Sequence, residues 1–270
     1  MLAVRSFGFF TNGVFMNSTL RTKETGILTE RLNELTEKLK QAYHELDTFV
    51  YKVSHDLRSP LSALDGYATI LLEEYKDTLS EEAQQFLTRI KFNVREIAGM
   101  VDELLELAHF DRIVSKKEQV NIAEIVKKVK MELATVLDEK KIHLQVQENL
   151  PTIPASNEAI FRVFVNLVNN SVKFADTKKD RTIIKIGCQT EQGSLSQFSV
   201  QDNGIGLGEG DQGKVFEIFH KVYIDEEDKN IPLNGLVLSK KIVEYYGGKI
   251  WVESEKGSGT TFYFTLPKRG

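Results

Sequence analysis

The stretch FVYKVSHDLRSPLSALDGY (residues 49–67) places a histidine beside an aspartate in the middle of a helical repeat. From Leu28 to Val53 the apolar positions alternate in steps of four and three, and the repeat continues to Leu71. This heptad pattern predicts a coiled coil. The same helix of a second chain is the simplest partner, and an amphipathic helix packed on its own domain is the alternative. The first-helix seam consists of Leu28, Leu32, Leu35, Leu39, Ala42, Leu46, Phe49, Val53, Leu57, Leu61, Leu64, Ala68 and Leu71.

A second helix is predicted after the repeat stops at EYKDTLSEEA (residues 74–83). There Ser80, followed by two glutamates, is typical of a helix N-cap with acids in the first turn. The two helices predict a helical hairpin, and two hairpins joined along the first helix predict a four-helix bundle in a homodimer. The apolar positions of the second helix are Phe86, Ile90, Ile97, Val101, Leu104 and Leu107.

From about residue 115 the pattern changes to helices mixed with strands, so the fold class is α+β. Strands are predicted by alternating segments such as SQFSVQD (residues 196–202) and TTFYFTLP (residues 260–267). Helices are predicted over residues 121–137, 157–175, 211–219 and 236–246. We expect a two-layer α/β sandwich with helices on one face of a mixed sheet.

Composition limits the choice of partners and compartments. The formal charge of −4 gives no polycationic surface, so nucleic acid is not an expected partner. Cys188 is the only cysteine, which excludes an internal disulfide and favours a reducing, cytoplasmic compartment. Residues 1–19 are fairly apolar, but their uncharged part is too short for a membrane span, and we interpret them as the end of an upstream sensor region.

The helix FVNLVNNSVKF (residues 164–174) carries several asparagines, which are poor helix formers. Asn166, Asn170 and Lys173 fall on one face because they are three or four residues apart. Amide oxygens suit Mg²⁺ that bridges a polyphosphate, and a lysine suits phosphate charge. A capping or buried polar network explains the same residues equally well.

The segment VQDNGIGLGEG (residues 200–210) places Asp202 at the end of a predicted strand, before four glycines. A hairpin is one interpretation, since Asn-Gly favours a tight turn. A helical segment follows instead of a returning strand, however. A carboxylate in this place can accept a hydrogen bond from the exocyclic amine of adenine, and glycines allow a nucleotide to approach the backbone closely.

Taken together, these motifs resemble those of sensor histidine kinases. SHDLRSPL, the asparagine helix, DNGIG, VFEIF and KIVEYYGGKIWVESEKGSGTTFYFTLP occur in the order of the H, N, G1, F and G2 boxes, over roughly residues 46–268. The last segment is most similar to the phytochrome-like branch. The resemblance implies an N-terminal stub (residues 1–23), a coiled-coil signalling helix (24–48), a dimerisation and phosphotransfer hairpin (49–114) and a Bergerat-type ATP-binding domain (115–270).

The resemblance also implies roles in the hairpin. His55 is the expected phosphoacceptor, and Asp56 can orient the neutral imidazole and take its proton. Pro60 is expected to kink the helix one turn later. Ser59 occupies the place where relatives position a water for dephosphorylation.

In the ATP-binding domain the resemblance implies sites for ATP and Mg²⁺. Asn170 is the expected Mg²⁺ ligand, and Asp202 is the expected adenine acceptor. The remaining expected nucleotide residues are Asn166, Lys173, Gly204, Gly206, Phe216, Phe219, Lys221 and Gly235.

The sequence departs from the family pattern before the last helix. Where relatives carry a Gly-x-Gly-x-Gly run, only Gly235 matches, and Ile231 and Leu233 occupy the other glycine positions, with Pro232 between them. We expect their side chains to crowd the phosphates. The predicted function is ATP-dependent autophosphorylation of His55 and transfer to an aspartate of a response regulator. The alternative is a degenerate signalling module that binds a partner or nucleotide with little kinase activity.

Overall fold

The computed structural model describes residues 7–176, 179, 181–190, 194–217, 220–223, 230–232 and 235–268. It divides into two compact units between Lys52 and Val53. Within the described residues, no helix combines the length and apolar content that a membrane span requires.

The N-terminal half of the chain is built from two long helices. Helix α1 spans Phe7–Glu74 and runs through Pro60. Because Pro60 lacks an N–H, the carbonyl of Asp56 accepts no hydrogen bond from the next turn of the helix. Asp56 and Pro60 are both exposed, so water can donate to this carbonyl instead. A 3₁₀ turn at Lys76–Thr78 leads to α2, Glu81–Ala108. Ser80 caps α2 as predicted, since its hydroxyl accepts from the N–H of Ala83 at 3.2 Å.

The hairpin shields only part of the predicted seam. Leu61 and Ala68 are buried, whereas Leu57, Leu64 and Leu71, which recur with the same seven-residue spacing, are exposed. On α2 the buried apolar residues are Val94, Val101 and Leu105, and the exposed ones include Phe86, Ile90, Ile97 and Leu104. One chain therefore leaves a continuous apolar face without cover in the hairpin.

The sandwich contains a mixed five-stranded sheet. Its strand order is β2-β4-β5-β9-β8, in which β2 and β4 are parallel and the other pairs are antiparallel. Two-stranded ribbons, β1-β3 and β6-β7, lie outside this sheet. The strands are Glu118–Asn121 (β1), Ile142–Val146 (β2), Thr152–Ala155 (β3), Thr182–Thr190 (β4), Leu195–Asp202 (β5), Lys221–Tyr223 (β6), Asn230–Pro232 (β7), Ile250–Glu255 (β8) and Gly259–Pro267 (β9).

Helices cover this sheet and enclose the core. Helix α6 lies between α4 and α8 and contacts β5, and α8 contacts β8 and β9. Phe164 of α6 meets Phe198 and Phe264 edge-on, and those two rings stack across β5 and β9 at 5.0 Å. The helices after the hairpin are Phe110–Val114 (α3), Ile122–Glu132 (α4), Ala134–Glu139 (α5), Asn157–Lys173 (α6), Glu209–Gln212 (α7) and Leu236–Tyr245 (α8). The predicted α+β class and layered sandwich are confirmed.

Two sequence predictions about helices need correction. The helix predicted over residues 211–219 is wrong for residues 213–216, because α7 ends at Gln212 and turns follow there. The helix predicted over residues 121–137 is divided at Leu133 into α4 and α5. Glycine at position 213 lacks helix propensity, which explains the first difference.

The aromatic core gives a stability prediction. Replacing Phe198, which is fully buried, with alanine should lower the free energy of unfolding by about 3–5 kcal/mol, because a ring-sized cavity remains. Urea unfolding followed by the fluorescence of Trp251, which stacks on Tyr263 in the same sheet, measures it. Met131→Ala, at a site that is 70% exposed, is the control and should change the free energy by at most about 0.5 kcal/mol. Equal effects of the two substitutions would contradict this core assignment.

Candidate functional site

His55 lies on α1 in an accessible position. Its side chain is 72% exposed, and its Nδ1 atom lies 3.4 Å from Oδ1 of Asp56, whose side chain is 66% exposed. This long contact aligns the ring without enclosing it, and the second ring nitrogen remains open to an incoming group. Ser59 is exposed one turn further along the helix.

An ion pair ties the histidine turn to α2. Arg58, three residues after His55, donates from Nη2 and Nε to Oδ1 of Asp102 at 2.6 and 3.2 Å. Arg95 and Asp65 form a second link between the two helices at 3.2 Å. Both pairs are largely exposed, so they add little stability but define how α2 lies beside the histidine turn.

Asn166 and Asn170 of α6 have different environments. Nδ2 of Asn166 donates to the carbonyl of Gly235 at 3.0 Å and lies 3.5 Å from the hydroxyl of Ser239. Asn170 is 1% exposed, and neither Oδ1 nor Nδ2 has a hydrogen-bond partner among the described residues. An unpaired buried amide costs about 1–3 kcal/mol. The predicted polar network therefore includes Asn166, whereas Asn170 is free to hold a ligand.

The residue before helix α8 is a glycine with a left-handed backbone conformation. Gly235 is buried at φ +84°, and a Cβ atom there would lie 2.4 Å from Cγ of Asn166. Its N–H donates to Oε1 of Glu103 at 3.0 Å, although Glu103 belongs to α2 of the hairpin. Burial raises the pKa of Glu103, and this hydrogen bond and Lys173 act in the opposite direction. Glu103 was not among the predicted site residues, because a glutamate on an amphipathic helix has no distinguishing pattern.

Asp202 ends β5 and organises the loop after it. Its Oδ1 accepts from the N–H groups of Gly204 at 2.9 Å and Thr260 at 3.2 Å, and its Oδ2 accepts from the hydroxyl of Ser171 at 3.0 Å. Burial raises the pKa of Asp202, and these donors together with Lys179 oppose that shift. Ser171 and Thr260 were not predicted as site residues, although both lie within quoted motifs.

The loop after β5 requires glycine at two places. A Cβ on Gly204 would lie 2.2 Å from the carbonyl oxygen of Phe174, and Gly206 has φ +70°. Lys179, also not predicted, donates from Nζ to the carbonyls of Asn203, Gly204 and Gly257 at 2.6, 3.2 and 2.9 Å. The hairpin interpretation of this segment is wrong, because the chain continues from the loop into α7.

The predicted lid residues are only partly described. Phe216 packs edge-on against Phe262 of the inner strand β9, with 6.4 Å between ring centroids, so this contact is one of packing. Lys221 and Pro232 pair across the β6-β7 ribbon, and Ile231 pairs with Val222. A strand therefore replaces part of the glycine run that the family pattern predicts. Phe219 and Leu233 lie outside the described residues.

The donor set fits a magnesium nucleotide better than a bare metal ion. Among the residues that the structure describes, no cluster of three or more His, Cys, Asp or Glu side chains forms a metal site. Mg²⁺ bound to a polyphosphate needs few protein ligands, and the unpartnered Oδ1 of Asn170 is a hard oxygen of the required type. Gly235 at the start of α8 and Lys173 at the end of α6 provide positive potential nearby.

Two family models match the chain. "His Kinase A (phospho-acceptor) domain" matches residues 45–113, and "Histidine kinase-, DNA gyrase B-, and HSP90-like ATPase" matches residues 155–270. A helical hairpin with an exposed histidine, followed by an ATPase-like α/β sandwich, is the arrangement of a two-domain phosphotransfer core. The chain belongs to the sensor histidine kinase family.

Curated relatives extend this result. Cyanobacterial phytochrome B of Nostoc sp. is 32% identical over 250 residues, which cover 92% of this chain and 33% of the relative. Sensor histidine kinase WalK of Bacillus subtilis is 32% identical over 246 residues, covering 86% and 38%. The predicted similarity to the phytochrome-like branch is confirmed. This chain spans about a third of the length of these relatives.

Solved structures share the fold. Full-length ShkA in complex with AMPPNP superposes with a TM-score of 0.53 at 23% identity, covering 81% of this chain and 45% of that one. Histidine kinase ThkA, in its complex with response regulator protein TrrA, gives 0.54 at 22% identity, covering 81% and 60%. At this identity they establish the arrangement of elements only.

The loop after β5 gives a matched pair of variants. Gly206→Ala should destabilise the sandwich by about 1–3 kcal/mol, because the new Cβ would meet the carbonyl oxygen of Glu255 at 2.1 Å and φ is positive. Gly210→Ala, where a Cβ meets nothing within 4 Å, should be neutral or slightly stabilising. Urea titration of both variants measures the difference, and a Gly206→Ala protein as stable as Gly210→Ala would refute the predicted loop conformation.

Proposed function

We propose that this chain is the catalytic core of an ATP-dependent histidine kinase that phosphorylates His55 and passes the phosphoryl group to an aspartate of a response-regulator receiver domain. Membership of the family supports the reaction class. The observation that carries the proposal is the accessibility of His55, whose ring lies beside a carboxylate and is 72% exposed as a side chain. A histidine buried in a helix interface could not reach a nucleotide.

The α/β sandwich holds the nucleotide in this proposal. Asp202 accepts a hydrogen bond from the adenine amine while Gly204 and Thr260 hold its carboxylate in place. Lys173, Asn166 and the N–H of Gly235 bind the phosphates. Lys221 keeps the role toward the γ-phosphate that the family resemblance implies. Oδ1 of Asn170 would hold Mg²⁺, which would neutralise charge on the phosphate oxygens.

The hairpin supplies the nucleophile. A neutral His55 attacks the γ-phosphorus through Nε2 as the bond between that phosphorus and the β,γ-bridging oxygen breaks, so ADP leaves. Oδ1 of Asp56 lies 3.4 Å from Nδ1 of His55. The carboxylate stabilises the Nδ1 proton and can accept it. Transfer of the phosphoryl group to a receiver aspartate regenerates the imidazole. Ser59, one turn away, orients a water that hydrolyses the aspartyl phosphate of the partner and releases inorganic phosphate.

The kinase core acts as a homodimer in this proposal. Leu32, Leu35 and Leu39 of α1 are 65%, 64% and 58% exposed in one chain. In the hairpin, Leu64 and Ile97 are 48% and 46% exposed. Apolar seams of this length are stable in water only when a second helix covers them. We also propose a cytoplasmic location, where ATP and receiver domains are available.

Radiolabelled ATP tests the phosphoacceptor directly. With Mg²⁺ and [γ-³²P]ATP, the parent chain should gain acid-labile, base-stable label, since a phosphoramidate forms on His55. His55→Gln should abolish the label while nucleotide binding persists. Asn170→Asp keeps the side-chain size but changes the ligand chemistry, and should reduce the labelling rate by about a hundredfold or more.

The same experiment separates this function from the degenerate module. Label that survives in His55→Gln would place the chemistry on another residue. An unlabelled parent chain with no measurable affinity for ATP would favour the degenerate module, in which these surfaces bind a partner without phosphoryl transfer.

The dimer seam gives a second test. Leu39→Glu should weaken dimerisation by roughly tenfold or more, because two glutamates would face each other across the apolar seam. Gln41→Glu introduces the same residue two positions away, outside the seam, and should leave the dimer intact. Light scattering over a dilution series measures both. Equal dimer stability for Leu39→Glu and the parent would show that this seam is not the interface.

A further inference from the structure

The carboxylate of Glu103 occupies an anion position in the ATP-binding domain. Glu103 is carried by α2 of the hairpin, yet it is only 5% exposed and accepts the Gly235 N–H at 3.0 Å. Gly235 precedes the first turn of α8, a ten-residue helix whose N-terminus attracts negative charge. The side chain therefore binds where a phosphate oxygen is expected.

The groups around Glu103 are those that the proposed function assigns to the phosphates. Asn166 donates to the carbonyl of the same Gly235 at 3.0 Å. Lys173 interacts favourably with the Glu103 charge. Asn170, on the same face of α6, is buried and has no hydrogen-bond partner among the described residues. The Glu103 carboxylate therefore interacts with the groups proposed to bind phosphate, whereas Asn170, the proposed magnesium ligand, takes no part.

A second contact, one turn later on α2, attaches this helix to α6. Oε1 of Glu106 lies 2.5 Å from Nη1 of Arg162 on α6, with side chains that are 27% and 37% exposed. Burial raises the pKa of Glu106, and Arg162 opposes this shift. Glu103 and Glu106 thus attach α2 to the start of α8 and to α6, respectively.

We propose that Glu103 and Glu106 form an autoinhibitory latch, in which the Glu103 carboxylate mimics a nucleotide phosphate at Gly235 and must leave before the triphosphate binds. The inference rests on the proposed function and adds a regulatory step to it. One N–H cannot serve a carboxylate and a phosphate together, and the two anions repel each other. Nucleotide binding and latch closure are therefore mutually exclusive, and each weakens the other.

Burial disfavours the ionised form of Glu103 at Gly235. Desolvation and the neighbouring Glu106 raise the pKa of Glu103, so its ionised form is held at a cost, which Gly235 and Lys173 only partly offset. A triphosphate carries more charge and brings Mg²⁺ to Asn170. Its binding displaces Glu103 from Gly235 and leaves the Glu106–Arg162 pair as the remaining contact of the latch.

Titration calorimetry with Mg²⁺-ADP tests the latch without phosphoryl transfer. Glu103→Gln should bind ADP about tenfold more tightly than the parent chain, because the competing charge is gone. Glu106→Gln should also tighten binding, although Glu106 does not contact Gly235, because the loss of its ion pair with Arg162 outweighs the relief of repulsion on Glu103. Glu132→Gln, at an exposed site on α4, is the charge-matched control and should bind like the parent. Inorganic tripolyphosphate should reproduce the order, since the competition concerns the phosphates.

The outcomes are distinguishable. If the parent binds ADP and Glu103→Gln binds with equal or lower affinity, the latch is refuted while the proposed function stands. If Glu103→Gln gains affinity and Glu106→Gln does not, Glu103 repels phosphate locally and the two-point latch is wrong. If no variant binds ADP, the proposed function fails and the latch fails with it. Urea unfolding followed by Trp251 shows that each variant is folded.

Discussion

The buried carboxylate of Asp202 is the interaction on which the α/β sandwich depends. It joins the end of β5 to Ser171 of α6, to the turn at Gly204 and to the start of β9 at Thr260. A carboxylate that is 5% exposed is tolerated only because these donors satisfy it. The same hydrogen bonds hold the glycine loop in place, so Asp202 stabilises both the fold and the proposed nucleotide site.

Helix α6 lies beside this carboxylate and packs against α8, and it has an apolar face and a polar face. Helix α6 buries Phe164 against the aromatic core of the sheet, and its other face presents Asn166 and Asn170. Helix α8 begins at Gly235, whose left-handed backbone lets Asn166 approach within hydrogen-bond distance. Because Glu103 accepts a hydrogen bond from the same glycine, the proposed latch and the proposed phosphate site coincide.

Regular patterns were readable from the sequence, and contacts between distant residues were not. The heptad repeat, the Ser80 cap and the alternating strands predicted the helices and the sheet, because each depends on neighbours within a few positions. The single helical turn at α7 was overpredicted. Glu103, Lys179 and Ser171 were missed, because their roles come from partners 132, up to 78 and 31 residues away in sequence. The family resemblance located His55 and Asp202, and the structure added what surrounds them.

The central claim is that the terminal phosphoryl group of a nucleotide in the sandwich reaches the imidazole of His55. Tandem mass spectrometry of the chain after incubation with Mg²⁺-ATP, under neutral to basic conditions and with electron-transfer fragmentation, localises that group most directly. The account predicts one phosphoryl group on His55, in the peptide that contains SHDLRSPL. An unmodified His55 in a chain that binds ATP, or a phosphoryl group on any other residue, would contradict it.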